Sequence, residues 1–111
     1  MNYHDYESCI QACLDCAAVC NHCASSCLKE ENPKMLALCI QLDIECAAAC
    51  YHTGQQMSLG SSRAKQYCRI CAEICTECAN ECEKHGKMGM EHCNECARAC
   101  RACIKQCLAV A

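Results

Sequence analysis

Sulfur is the reactive element of this sequence: 19 of its 111 residues are cysteine. They stand at Cys9, Cys13, Cys16, Cys20, Cys23 and Cys27, at Cys39, Cys46 and Cys50, at Cys68, Cys71, Cys75, Cys78 and Cys82, and at Cys93, Cys96, Cys100, Cys103 and Cys107. In the first, third and fourth groups every step is three or four residues, which returns each thiol to one seam of a helix. A free cysteine is ordinarily a small buried hydrophobe. Leucine and isoleucine fill a bundle core better, however, so three unbroken ladders of thiol call for sulfur chemistry rather than filler.

Disulfides do not explain the pattern. Residues three or four apart on a helix have Cβ atoms about 5–6 Å apart, wider than the roughly 3.5–4.5 Å a disulfide needs. Nineteen is also odd, so the thiols cannot all pair within the chain. A soft metal fits better. With metal–sulfur bonds of about 2.3 Å, a linear S–metal–S unit spans about 4.6 Å. Thiolate and thioether select Cu(I), which accepts two or three soft ligands. Zn(II) asks for four donors in a tetrahedron, and ladders with no break into fours favour the low-coordinate ion. The compact run of an iron–sulfur protein is absent, and a C-x-x-C oxidoreductase needs one pair on an α/β scaffold. Near-equal numbers of thiolate and Cu(I) would also largely neutralise the charge of a dry core.

The elements that hold these thiols are helices. Asp5 is a candidate N-cap, with Glu7 in the first turn. Asn32-Pro33 supplies a cap and a first-turn proline for a second helix running to about Thr53, where Gly54 suits the C′ position. A loop at 58–62 precedes a third helix from about Ser62, which Gly86 can end; Lys87-Met88-Gly89 leads into a fourth. Leu36, Cys39, Asp43, Cys46, Cys50 and Thr53 face inward on the second helix, so half of that seam is not thiol. Small or branched residues such as Ile10, Ala17, Ala72 and Ala97 flank the seams, and Gln11, Asp15, Glu73, Glu77, Arg98, Arg101 and Lys105 lie outside. Leu14, Ile70 and Leu108 fall off the apolar stripe and suit a subunit contact. Short connections predict an all-α, antiparallel up-down-up-down four-helix bundle with a cysteine-lined core, one domain over residues 1–111.

Composition excludes other classes. The chain has no Phe or Trp and a net charge of -3, with scattered Lys and Arg, which argues against nucleic acid. The N-terminus, beginning Met1-Asn2, is polar and acidic and lacks a signal peptide's features. No apolar run is expected to span a membrane. The expected location is the cytosol, where thiols stay reduced.

The ladders, the departure Cys39…Asp43…Cys46…Cys50 and the His/Met cluster around 85–92 resemble the bacterial copper storage proteins. The resemblance covers essentially the whole chain, and the absent export signal points to the cytosolic branch. It implies a homotetramer of four-helix bundles, each storing many Cu(I) along its axis and detoxifying copper, with no catalysis. A copper chaperone or efflux protein is the partner it suggests. A helical metallothionein-like Zn(II) store and a copper-transfer partner are the alternatives.

In up-down-up-down order one end gathers Met35, His85, Met88, Met90 and His92. His85 continues the third ladder from Cys82, and thioether and imidazole are neutral donors that can pass Cu(I) inward. His92 lies off the seam and reads as a solvated loop residue. Tyr3, Tyr6, Tyr51, Tyr67, Leu59 and Val110 make an apolar plug at the other end, and His4, His22 and His52 read as surface residues. Asp43 has two open readings. It is a buried carboxylate that needs partners, or it ligates metal or accepts hydrogen bonds from thiols; unliganded, it should stay protonated.

Overall fold

A computed structural model describes residues 3–111; Met1 and Asn2, the start of the polar N-terminal stretch, lie outside the described residues. Four helices follow one another: α1 (Tyr3–Leu28), α2 (Ala37–Ser58), α3 (Ala64–Gly86) and α4 (Glu91–Val110). Each packs on two neighbours, α1 on α2, α2 on α3, α3 on α4 and α4 back on α1, while the diagonal pairs stay apart across the axis. Links this short reverse the chain each time, so the bundle is antiparallel, with principal extents of 46 × 18 × 17 Å.

Sequence and structure differ at the helix ends. Asp5 is not an N-cap, because α1 already includes Tyr3 and His4; it sits in the first turn, where the dipole still favours its charge. Asn32 precedes Pro33 as expected, but Pro33–Leu36 forms a 3-10 turn and the Asn32 side chain makes no capping bond. The larger correction is Gly54. It does not end α2, which continues to Ser58, and it lies buried in the helix beneath Leu14. The stop is Gly60, at φ 66°. Its amide donates to the Met57 carbonyl and that of Ser61 to the Gln56 carbonyl, the paired bonds of a Schellman ending. Gly89, at φ 99°, ends the chain's third helical run in the same way: Gly89 donates to Gly86 and Met90 to His85.

Pro33–Ser58 proves long and apolar enough, by length and composition, to cross a membrane, contrary to expectation. In the bundle its inner face carries Asp43 and three thiols and packs on α1 and α3.

Every cysteine is buried, none more than 2% exposed. Alanines Ala17, Ala47, Ala72, Ala79 and Ala97 fill the flanks of the column. The predicted inward face of α2 is correct throughout, and one further turn adds Met57, which is fully buried. The tyrosine plug needs correction. Tyr6 is buried, but Tyr3, Tyr51 and Leu59 are exposed; Met57 and Ala64 close this end instead.

These glycines give opposite expectations. A Cβ on Gly54 would meet Leu14 at 3.5 Å, an ordinary contact. Gly54→Ala should therefore stabilise the protein by about 0.5–1 kcal/mol through reduced chain entropy. Gly89→Ala should cost about 1–2 kcal/mol, since its positive φ suits only glycine. Thermal melts of the reduced, metal-free variants check both; a destabilised Gly54→Ala would contradict the helical placement.

Candidate metal centre

The four seams meet along the axis and bring sulfur against sulfur. Along a helix the Sγ atoms lie 3.8 Å apart for Cys16–Cys20, 3.9 Å for Cys71–Cys75 and Cys103–Cys107, and 4.0 Å for Cys23–Cys27. Across helices they lie 3.5 Å apart for Cys46–Cys75 and 3.6 Å for Cys13–Cys103, Cys39–Cys82 and Cys20–Cys96. Bonds of about 2.3 Å give sulfur–sulfur edges of about 4.0 Å in a trigonal site and about 3.8 Å in a tetrahedral one. These spacings are the contacts of thiols packed without metal, and small side-chain shifts bring two, three or four sulfurs around one ion.

Such groups overlap. Cys16, Cys46, Cys50 and Cys75 form one; Cys16, Cys20, Cys46 and Cys100 another; Cys20, Cys78, Cys96 and Cys100 a third. In each group the sulfurs all lie within 4.8 Å of one another. Further along the column, Cys13, Cys71, Cys103 and Cys107 group at one side and Cys23, Cys27, Cys39 and Cys93 at the other. Burial disfavours every thiolate here, and the hydrogen bonds between thiols work with or against it. Hydrogen bonds with Cys100 and then Cys103 pull the Cys16 thiol down, while the contact with Cys16 pushes Cys100 up. Burial, then the Cys39 sulfur, pushes Cys27 up to about 12. Metal bound here must displace thiol protons.

Asp43 stands inside the column, fully buried. Its Oδ1 accepts from Cys78 and Cys96 at 3.2 Å and from Cys82 at 3.5 Å, and Oδ2 accepts from Cys39 at 3.9 Å. Thiols from three helices therefore converge on one carboxyl. Burial, then the sulfurs of Cys96, Cys78 and Cys39, push its pKa from 3.8 to about 10. The group is a neutral acid at pH 7 in the metal-free protein, and both readings of it, hydrogen-bond acceptor and ligand, share this geometry.

At one end Met35, Met88, Met90 and His85 line a cleft of about 290 Å³ with Glu30, Glu31, Asn32 and Leu36. The expected cluster is therefore assembled, with Met35 and Met88 largely exposed and His85 only 7% exposed. The His85 Nε2 pairs with Glu81 at 2.9 Å, and its Nδ1 is buried with no hydrogen-bond partner. A carboxylate behind one ring nitrogen leaves the other free to take a metal.

His92 is a correction. It is not a solvated loop residue: its Nδ1 lies 3.6 Å from Cys23 and Cys93 and 3.8 Å from Cys27, and its Nε2 is 3.3 Å from Glu30. It caps the last thiol group of the column. The seam rule missed it because it applies between layers; in the first turn of α4 no layer lies beyond, and a neighbouring residue can fold over the open end. Its place just before Cys93 was the available signal. His4, His22 and His52 are exposed, as expected, with His52 edge-on to Tyr67 at 4.7 Å.

The Asp43 environment has a consequence for stability. Its folded pKa lies above the unfolded one, so this group's contribution to the metal-free fold is fully present below about pH 4 and is lost as pH rises toward 10. At pH 7 the gap from 3.8 corresponds to about 4 kcal/mol. Asp43→Asn should recover up to that amount and flatten the pH dependence between about pH 5 and 9. Urea unfolding of reduced, metal-free protein across that range measures it; a less stable Asn variant with an unchanged slope would refute it.

The sequence profile of the copper storage protein family matches residues 2–111. An uncharacterized cysteine-rich protein of Bacillus subtilis, YhjQ, is 44% identical over 79 residues, covering 71% of this chain and 73% of that protein. Among solved structures, Cu(I)-bound copper storage protein BsCsp3 of B. subtilis superposes with a TM-score of 0.88 at 44% identity, covering 95% of this chain and 96% of that one. A cytosolic copper storage protein from Streptomyces lividans, loaded with five coppers, gives 0.92 at 35% identity over 97% of this chain and 92% of its own. With the profile spanning nearly every residue and the fold shared with copper-loaded relatives, this chain belongs to the copper storage protein family.

Proposed function

We propose that the protein stores Cu(I) in the cytosol, holding many ions per chain in its thiol column, and that the whole chain acts as one storage domain without catalysis. The observation that carries this reading is the overlap of the sulfur groups. Cys16, Cys20, Cys46 and Cys100 each belong to two of them. Separate Zn(II) sites would each claim four thiolates, whereas Cu(I) shares thiolates and approaches one ion per sulfur with little residual charge. Copper transfer to another protein needs an exposed site, and no thiol here is more than 2% exposed. The cytosolic relative and the reduced state that such a column requires favour the same compartment.

Copper in this reading arrives at the cleft of Met35, Met88, Met90 and His85, passes His92, and reaches Cys23, Cys27, Cys39 and Cys93 before the Asp43 layer. All 19 cysteines ligate, and Asp43 relinquishes its thiol partners as the ions arrive. A homotetramer is the assembly that the family resemblance favours, and Leu14 on α1 with Ile44 and Tyr51 on α2 offer it exposed apolar side chains. A copper chaperone or efflux protein would exchange ions at the cleft.

Two measurements test storage and route. Anaerobic Cu(I) titration of the reduced protein against a competing chelator should show well over ten ions per chain; saturation at four or fewer would rule storage out, and displacement by Zn(II) would favour the zinc store. Replacing His85, Met88 and Met90 together by Leu should slow uptake several-fold in stopped-flow absorbance while leaving capacity nearly intact. Replacing Cys16, Cys46, Cys75 and Cys100 by Ser should instead cut capacity with less effect on the initial rate. If the Leu variant loads as fast as its parent, copper does not pass through this cleft.

A further inference from the structure

One sulfur of the column belongs to no cysteine. The inward register of α2 runs Leu36, Cys39, Asp43, Cys46, Cys50, Thr53, Met57, and the last of these is fully buried at the end opposite the His/Met cleft. Its Sδ lies 3.7 Å from the Cys68 Sγ, which donates to it. That distance falls within the 3.5–4.0 Å range of the thiol pairs already described. The thioether sulfur therefore occupies a place in the ladder that a thiol would occupy on the other three helices.

The same end holds Cys9 and Cys107, 3.7 Å apart, with Cys107 also 3.8 Å from Cys13. Cys68 interacts with both Cys9 and Cys107. Three helices thus supply a thiol to this terminal layer and α2 supplies Met57. A methionine placed only as filler is free to turn its sulfur anywhere, since its three rotatable bonds adapt to irregular gaps. Here the sulfur meets the thiol.

We infer that Met57 is a ligand: with Cys68 and the neighbouring thiols Cys9 and Cys107, it forms a mixed thioether–thiolate Cu(I) site at the closed end of the column. This rests on the copper-storage reading and adds to it a donor of a different kind. A thioether is soft and selects Cu(I) over harder ions. It is also neutral, with no proton to lose. Binding through it adds no negative charge where Tyr6, at 4% exposure, and Ala64, at 1%, keep water away. The closed end therefore finishes the column with a ligand that completes coordination without needing a further cation beyond it. Being far from the cleft, this site fills late.

Selenium reads the bond directly. Protein in which Met35, Met88 and Met90 are replaced by Leu, grown with selenomethionine, keeps selenium at Met57 and Met1 only. After anaerobic loading to saturation, selenium-edge X-ray absorption should show a copper neighbour at bonding distance. Adding Met57→Leu should remove that signal and lower capacity by about one ion, leaving the helical circular dichroism unchanged, because leucine replaces methionine at small cost. A saturated protein in which selenium has no copper neighbour overturns the proposal, whatever the Met57→Leu variant does. Uptake of four or fewer ions by the parent would instead overturn the storage reading beneath it.

Discussion

Contact between sulfurs across the bundle axis governs this molecule. For Sγ atoms to approach within 3.5–4.0 Å from four helices, each helix must keep one narrow seam pointed inward and let its neighbours come close. Alanine serves that purpose beside the thiols, at Ala17, Ala47, Ala72, Ala79 and Ala97, because any larger side chain would wedge the helices apart. The core gives up the packing value of leucine in exchange. Polar contacts outside help fix the neighbours in register, as where Arg101 of α4 reaches both oxygens of Glu83 and the Asn80 side chain on α3.

Charge is the second condition. A column of buried thiols tolerates few thiolates, and the single buried carboxyl within it is pushed up to about 10, which keeps it neutral. Monovalent cations arriving as thiol protons leave would keep that balance nearly constant. That balance predicts a fold that forms before metal and accepts it afterward, unlike a small zinc domain whose ion is part of folding. The imidazoles at the open end follow the same logic: His85 and His92 each rest one nitrogen on a glutamate, Glu81 or Glu30, and turn the other away from it.

Most of the fold was legible because its signal is periodic. Sixteen thiols at steps of three and four define three seams, and the register extends to Asp43 on the fourth, where two cysteines flank it. What was not legible is local. A glycine in a helix looks the same in sequence whether it stops the helix, as Gly60 and Gly89 serve to do, or simply sits within it, as Gly54 does beneath Leu14. Placing the stop at Gly54 cut α2 short by a turn and so hid Met57. His92 was hidden for a related reason, since the periodic rule describes the interior of a bundle and not its rim. Asp5 shows the remaining weakness: an acid near a helix start is favourable both as a cap and within the first turn, so its presence does not fix the boundary.

If these groups hold copper as proposed, the sharing of cysteines between adjacent groups means that no ion owns its ligands. Once Cys16 and Cys46 serve one ion, the group containing Cys20 and Cys100 is already altered before it receives its own. Occupancy along the axis thus behaves as a one-dimensional lattice with coupling between neighbours, in which energies of sites with common partners do not add. A single dissociation constant then has no residue-level meaning for the column. On the proposed reading, which ion binds next would depend on the neighbours already in place.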